Sequence, residues 1–462
     1  MGMTAGSPGL RTRLGSLTYM SEPGDWHIDR LEVANFRCFE YLDVSFDPSL
    51  TVLVGANGTG KTAVLDALAI MLSPIIREFD GDTRGFVTED AREVPRDLDS
   101  RSSVARMESE YPVWAGVTAT LAGGESRWLR ERISAKGRTT WGSREVGLRA
   151  AEIWRASDRS SDHFASRPPL LPVLALYGVE RLVGARKSGA SAVRSRSAAY
   201  HSALDGKSDL SRLSPYIEAL TLADFLADSR GDQAQAARDQ LEAIALACNT
   251  LLRETGWRDP TWNPIVNGLT LRHEDRGELP LSYLSSGIKI AAGLVIDLVS
   301  RMARANPALG AETLLAEVPG VVLIDEIDLH LHPTWQQRIV PLFRVIFPRV
   351  QFVVTTHSPQ VLSTVEARCI RVLDGTAIRS VQYSAGLRSD VVLAHVMGTR
   401  PEPRLAINAD LDRYLDLVDR GLGRSDSARE LRRRLDEELG GIANVPQLAE
   451  ADASIAFFDP DE

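Results

Sequence analysis

The chain has 462 residues, 44% of them hydrophobic, enough to bury the cores of two or three folding units. A formal net charge of −9 argues against a surface coated in basic residues for nonspecific nucleic-acid binding, and leaves room only for a local basic groove. The three cysteines, Cys38, Cys248 and Cys369, are too few and too far apart for a disulfide framework, and no stretch reaches the ~18 consecutive apolar residues of a membrane span.

Residues 1–25 are rich in Gly, Ser and Arg and lack the apolar core of a signal peptide, which predicts a disordered extension on a cytoplasmic protein, with Met20 a second candidate start. Residues 26–140 read as strand-rich: Leu31 to Phe36, Tyr41 to Phe46 and Leu50 to Val54, then Val113 to Leu121 and Trp128 to Ile133 with polar alternation. Such alternation predicts an antiparallel sheet. Within this segment Leu53-Val54 leads into Gly55-Ala56-Asn57-Gly58-Thr59-Gly60-Lys61-Thr62, and a helical stretch runs from Ala63 to Leu72. Strand, glycine loop and helix make a phosphate-binding loop. Its glycines let backbone N–H groups close around a triphosphate, and a helix N-terminus at Ala63 faces the charge. Lys61 adds a point charge and Thr62 a hydroxyl for Mg²⁺.

Residues 141–275 read as an insertion. A helix precedes the run Leu170 to Leu176, which has the apolar continuity of a buried strand. Gly184 to Gly206 is rich in Ser, Gly and Arg and predicts a mobile loop, where Arg186, Lys187, Arg194 and Arg196 either stand solvated or contact a polyanion. Leu210 to Thr255 carries Ile217, Leu220, Leu222, Phe225 and Leu226, then Leu241, Ile244, Leu246 and Leu251, at helical spacing. The segment is too short and too poor in heptads for a long coiled coil, so a compact helical arm is expected.

Residues 276–385 return to strands and motifs. Ser285-Ser286-Gly287 opens an apolar-periodic helix and, taken alone, reads as an N-cap. Val321 to Ile324 has the composition of a strand buried on both faces, and it ends in Asp325 and Glu326. Alternation along a strand points these carboxylates in opposite directions, so Asp325 is assigned to the Mg²⁺ shell and Glu326 to general-base activation of a water. Asp328-Leu329-His330-Leu331-His332-Pro333 follows, and beyond the residues assigned to magnesium no carboxylate or cysteine cluster completes a zinc site with its two histidines. Val353 to Thr356 is a short strand ending at His357. Ile370 to Leu373 and Ala377 to Tyr383 read as closing strands, and residues 386–462 as a helical tail. Leu411, Tyr414, Leu415 and Val418 form one apolar stripe there, Leu431, Leu435 and Leu439 another, with Arg432, Arg433 and Arg434 as a solvated face.

In this order the motifs resemble the RecF/SMC-like branch of ABC ATPases. More narrowly the chain looks like the bacterial proteins described as "predicted ATP-binding protein involved in virulence", relatives of OLD-type and phage-defence ATPases. Leu31 to Phe39, with Asn35-Phe36-Arg37, is similar to that family's opening strand. Leu176-Tyr177-Gly178-Val179-Glu180-Arg181, Trp335-Gln336 and Phe347-Pro348 fit as well. The signature carries Ser286 where an aspartate is more usual, followed by Ile288-Lys289 after the glycine. Lys61 and Ser286 stand 225 positions apart, a separation that sets the chain apart from transporter nucleotide-binding domains and requires the insertion.

The resemblance implies an α/β fold: an ABC-type P-loop ATPase head with an antiparallel β subdomain, a compact helical insertion and a helical C-terminal tail. It implies ATP and Mg²⁺ as cofactors. Gly55, Ala56, Asn57, Gly58, Thr59, Gly60, Lys61, Thr62, Ala63 and Arg37 would touch nucleotide, with Ser285, Ser286, Gly287 and the D-loop Asp328. Thr62 and Asp325 would hold metal, and Glu326, the switch histidine His357 and Lys61 would act in catalysis. A homodimer closed around ATP, possible higher oligomers, a nuclease or toxin partner, a possible nucleic-acid partner and no membrane are the expected associations. A RecF-like DNA repair mediator and a non-hydrolysing nucleotide sensor are the alternative roles. An OLD-type nuclease domain is not expected, because Asp410-Leu411-Asp412 sits on a helical pattern with no apolar strand before it.

Overall fold

The computed structural model describes residues 25–458 apart from 97–105, 143, 159–168, 181–194, 207–209, 227–231, 376, 400–402 and 404. The expected N-terminal extension (save Asp25) and the basic residues Arg181, Arg186, Lys187 and Arg194 lie outside the described residues.

The chain opens with β1 (Trp26–Phe36), β2 (Phe39–Ser45) and β3 (Leu50–Val54), and passes through the glycine loop into α1 (Lys61–Glu78). A small pair, β4 (Glu93–Arg96) and β5 (Arg106–Ser109), is followed by β6 (Val113–Leu121), β7 (Gly124–Arg132), α2 (Arg144–Asp158) and β8 (Val173–Tyr177). Next come α3 (Leu210–Leu226), α4 (Asp232–Leu252), β9 (Trp257–Asn263), β10 (Gly268–His273), β11 (Gly277–Pro280) and α5 (Ser286–Ala305). Then α6 (Ala311–Glu317), β12 (Gly320–Ile324), α7 (Pro333–Gln336), α8 (Ile339–Ile346), β13 (Val350–Thr355), α9 (Pro359–Leu362), β14 (Ile370–Asp374) and β15 (Ala377–Arg379) follow. The chain divides into two compact units after Val392, within α10 (Ser389–His395), and the second unit contains α11 (Ala406–Asp419), α12 (Asp426–Leu439) and α13 (Pro446–Phe458).

Two sheets organise the first unit. Strands β15-β14-β3-β13-β12-β8 form one, parallel except for the edge strand β15. Its inner strands β3, β12 and β13 are buried at every residue, which is why they are dominated by Val, Leu and Ile rather than alternating with charged residues, and the polar members Thr51, Gln351 and Thr355 are buried with them. Strands β2-β1-β6-β7 form the antiparallel sheet, with Leu31, Val33, Ala115 and Val117 facing inward. Helix α1 contributes to the core shared with both, and Trp128 of β7 donates from Nε1 to the Met71 carbonyl at 2.9 Å. Gln351, 1% exposed, stitches the sheets together: its Oε1 accepts from the Ile28 N–H at 2.8 Å and its Nε2 donates to the Ile28 carbonyl at 2.8 Å.

Two expectations change. The insertion is not helical alone, because β9, β10 and β11 form an antiparallel meander before the signature helix. Pro260 and charged residues break the apolar alternation of β9, and the pairing comes from the neighbouring strand. The segment expected to be a mobile loop is anchored in its last part. Arg196 opens a short turn and donates from Nε to the Ala305 carbonyl at 2.9 Å and from Nη2 to Ser157 Oγ at 3.0 Å. Its guanidinium also lies 5.4 Å from the Trp154 ring centre, and Tyr200 beyond it is fully buried. Arg196 is therefore a packing anchor rather than a free polyanion contact. Phe225 and Leu226, read at helical spacing, lie on α3 and are 84% and 70% exposed.

In the second unit, Leu411, Tyr414, Val418 and Leu435 form a core of their own. Three arginines of α12 are ion-paired: Arg432 with Asp436 and Asp452, Arg433 with Glu430 and Glu437, and Arg434 with the buried carboxylate of Asp410 at 2.8 Å. Asp410 and Asp412 lie on helix α11, as the helical pattern requires.

Candidate nucleotide-binding site

The glycine loop is shaped by contacts that exclude side chains. Gly58 and Gly60 have φ of +81° and +90°, a left-handed region that costs glycine little. A Cβ on Gly60 would lie 2.3 Å from the Phe39 ring and 2.6 Å from Cys38 Sγ, so the loop rests on the turn between β1 and β2. Lys61 is 7% exposed, and its Nζ donates back to the Gly55 and Ala56 carbonyls at 2.9 and 3.0 Å. Burial lowers its pKa, against the pull of the carboxylates of Asp325, Glu326 and Asp328, which raise it. The ammonium therefore stands inside the loop, on its own carbonyls and within the field of the three acids.

Thr62 Oγ1 donates to Asp325 Oδ2 at 2.8 Å, across 263 positions of sequence. A hydroxyl and a carboxylate side by side at the mouth of an anion-binding loop are the oxygen donors a Mg²⁺ ion takes, and the set fits a metal–triphosphate. The carboxylate's other oxygen, Oδ1, accepts from Thr355 Oγ1 at 2.5 Å, and the Asp325 N–H donates to the Tyr177 carbonyl at 2.8 Å.

The two acids are separated by a mechanism different from strand alternation. Strand β12 stops at Ile324, and Glu326 adopts φ +46°, a left-handed conformation unfavourable for a side chain of its size. Its N–H donates to Thr355 Oγ1 at 2.7 Å. The following loop is tied to the end of β13: Asp328 Oδ1 accepts from Thr356 Oγ1 at 2.5 Å, and Gln336 Nε2 donates to the Leu331 carbonyl at 2.8 Å. Ser358 Oγ donates to Gln336 Oε1 at 2.7 Å. His357, half-buried, lies between Thr356 and Ser358. His332 accepts from the Thr334 N–H through Nδ1 and so caps α7.

Ser285 occupies the N-cap position of α5 without a side-chain capping bond, so its hydroxyl is not spent on the helix. A Cβ on Gly287 would stand 3.1 Å from the His330 carbonyl, which places the signature turn against the 328–331 loop. Arg37 donates to Asp90 Oδ1 at 2.9 Å and to Asp66 Oδ2 at 2.6 Å, and Arg84 pairs with the same Asp66 at 2.7 Å. A cavity of about 290 Å³ beside Thr62 and Asp325 is lined by Asp66, Gly178, Glu180 and Gly206.

Sequence reasoning singled out the loop, the acid pair and the serines, but gave no role to Thr355, Thr356 or Gln336. Their signal was a hydroxyl pair closing an apolar strand, next to a motif that already ended in a histidine.

Residues 50–363 match the family described as "AAA domain, putative AbiEii toxin, Type IV TA system". Among curated proteins, the chain is 25% identical to the retron Ec83 probable ATPase of Escherichia coli, over 91% of this chain and 85% of that one. It is 32% identical to the Septu protein PtuA of Bacillus thuringiensis, over 30% of this chain and 38% of that one. Among solved structures, an Smc head bound to the C-terminal winged-helix domain of ScpA aligns at 16% identity with a TM-score of 0.45, over 78% of this chain and 98% of that one. Among the described residues, no helix is long and apolar enough to cross a membrane.

Proposed function

The chain belongs to this family of AAA domains, and from that premise we propose that it binds ATP with Mg²⁺ and hydrolyses it in a site that two copies complete together. The observation that carries this is the Thr62–Asp325 hydrogen bond, which joins the phosphate loop to the acidic strand end. Lys61 and the loop N–H groups bind the phosphates. Thr62 and Asp325 would hold the metal, which when bound would neutralise phosphate charge. Glu326 takes the proton of the attacking water. Ser285, Ser286 and Gly287 present a hydroxyl and backbone donors to nucleotide held by the second copy, flanked by Asp328, and His357 acts in catalysis as the switch histidine. Arg37 shapes the loop from the β1–β2 turn through Asp66.

The work done by closing and opening such a dimer comes from the difference in binding energy between ATP and ADP states. The relatives named retron probable ATPase and Septu protein PtuA support a role in phage defence, in which the ATP-gated dimer controls a nuclease or toxin partner. The test is Glu326→Gln: steady-state ATP turnover should fall about 10²–10⁴-fold while ATP still binds. Turnover unaffected by this substitution would remove Glu326 from the reaction.

A further inference from the structure

We infer that the adjacent threonines Thr355 and Thr356 divide the control of this site: Thr355 positions the metal-binding and water-activating acids, and Thr356 positions the loop that meets the second copy. The inference rests on the ATPase reading above. Both side chains are fully buried, at 0% exposure, where the end of β13 reaches the acids. Successive residues of an extended chain face opposite ways, so two neighbours can serve two structures.

A threonine hydroxyl has one proton to give. Thr355 gives it to Asp325 Oδ1 at 2.5 Å and receives the Glu326 N–H at 2.7 Å. One oxygen thus fixes the carboxylate whose other oxygen meets Thr62, and also the backbone of a glutamate held at φ +46°. Such a backbone state persists only where its surroundings impose it. Thr356 gives its proton to Asp328 Oδ1 at 2.5 Å and receives the Ser358 N–H at 3.0 Å. Ser358 in turn holds Gln336, which holds the Leu331 carbonyl, so the 328–331 loop hangs from the strand end at two points. The signature turn rests on that same loop through Gly287.

Valine replaces a threonine hydroxyl with a methyl of similar shape. Affinity for a fluorescent ATP analogue, measured on the full chain with and without Mg²⁺, reads the first half of the inference. Thr355→Val should reduce the gain in affinity that Mg²⁺ confers by about 10–100-fold, the usual effect of losing a partner of a metal ligand, with the metal-free affinity unchanged. Thr355→Ser, which keeps the hydroxyl, should restore the gain. If the valine variant fails to fold, Thr355→Ala should give the same loss. A wild-type Mg²⁺ gain in Thr355→Val, or a serine variant as impaired as the valine one, overturns the role of Thr355.

Sedimentation reads the second half. In the Glu326→Gln background with ATP, Thr356→Val should raise the protein concentration at half-dimerisation by about tenfold, the scale of one buried hydrogen bond, and Thr356→Ser should not. An unmoved midpoint overturns the role of Thr356. A wild-type chain that gains ATP affinity from Mg²⁺, loses it in Thr355→Val and yet hydrolyses nothing would keep the role of Thr355 and reject the ATPase reading.

Discussion

Lys61, proposed to bind phosphate, is held in the loop by bonds that a ligand would replace. Its ammonium is buried, turned onto the carbonyls of its own loop, and drawn by three carboxylates. Those bonds are exchangeable for phosphate oxygens, which carry full charge and bond more strongly than neutral carbonyls. Lys61→Ala should therefore weaken triphosphate binding itself, unlike Glu326→Gln, which should spare binding and slow turnover. Equilibrium titration of ATP against both variants separates the roles, and equal losses of affinity would contradict them. The left-handed backbone of Glu326 belongs to the same scale, since it ends the extended run of β12 at the residue proposed to activate water.

Among the elements, the signature helix α5 is fastened to the edge of the parallel sheet by a buried chain of charges. Tyr177, the last residue of β8, donates to Asp297 Oδ2 at 2.8 Å, and Arg301 one turn later donates to the same oxygen at 2.8 Å. Burial pushes the Tyr177 phenol well above its usual pKa, with the Asp297 charge adding to it, whereas at Arg301 burial pulls the pKa down and Asp297, Tyr177 and Asp205 together raise it. Burying such a pair costs desolvation, so its use is to fix one arrangement of helix on sheet rather than to add much stability. Removing one partner has a larger effect. Asp297→Ala should lower the stability of the first unit by about 3–5 kcal/mol, because Arg301 would keep a buried charge with its acid gone. Urea unfolding measures this, and a change below about 1 kcal/mol would mean that water reaches the site.

At the scale of the whole molecule, the signature turn of one copy and the phosphate loop of another are proposed to make one site. Turnover per chain should then rise with protein concentration. Ser286→Arg should abolish turnover while the monomer still binds ATP. Mixing it with Lys61→Ala should recover activity, since a mixed dimer assembles one site from two unaltered surfaces. A rate independent of concentration in a strictly monomeric protein would exclude the shared site.

The sequence by itself determined the elements whose chemistry is local. A glycine loop before a helix, apolar runs too continuous for an exposed strand, and acids at a strand end each carry their physics within a few positions, so β3, β12, β13 and the start of α1 stand where the pattern put them. The family resemblance likewise lay in those local motifs, and it holds over residues 50–363. What the sequence left undecided depended on distant partners. The β9–β11 meander is held by cross-strand pairing that its broken alternation does not announce, and Arg196 became an anchor because Trp154 and the end of α5 converge on it. Only the folded chain brings Thr355 within a hydrogen bond of both Asp325 and Glu326, because β12 and β13 are parallel neighbours, and parallel neighbours are joined by long crossovers rather than by adjacent sequence.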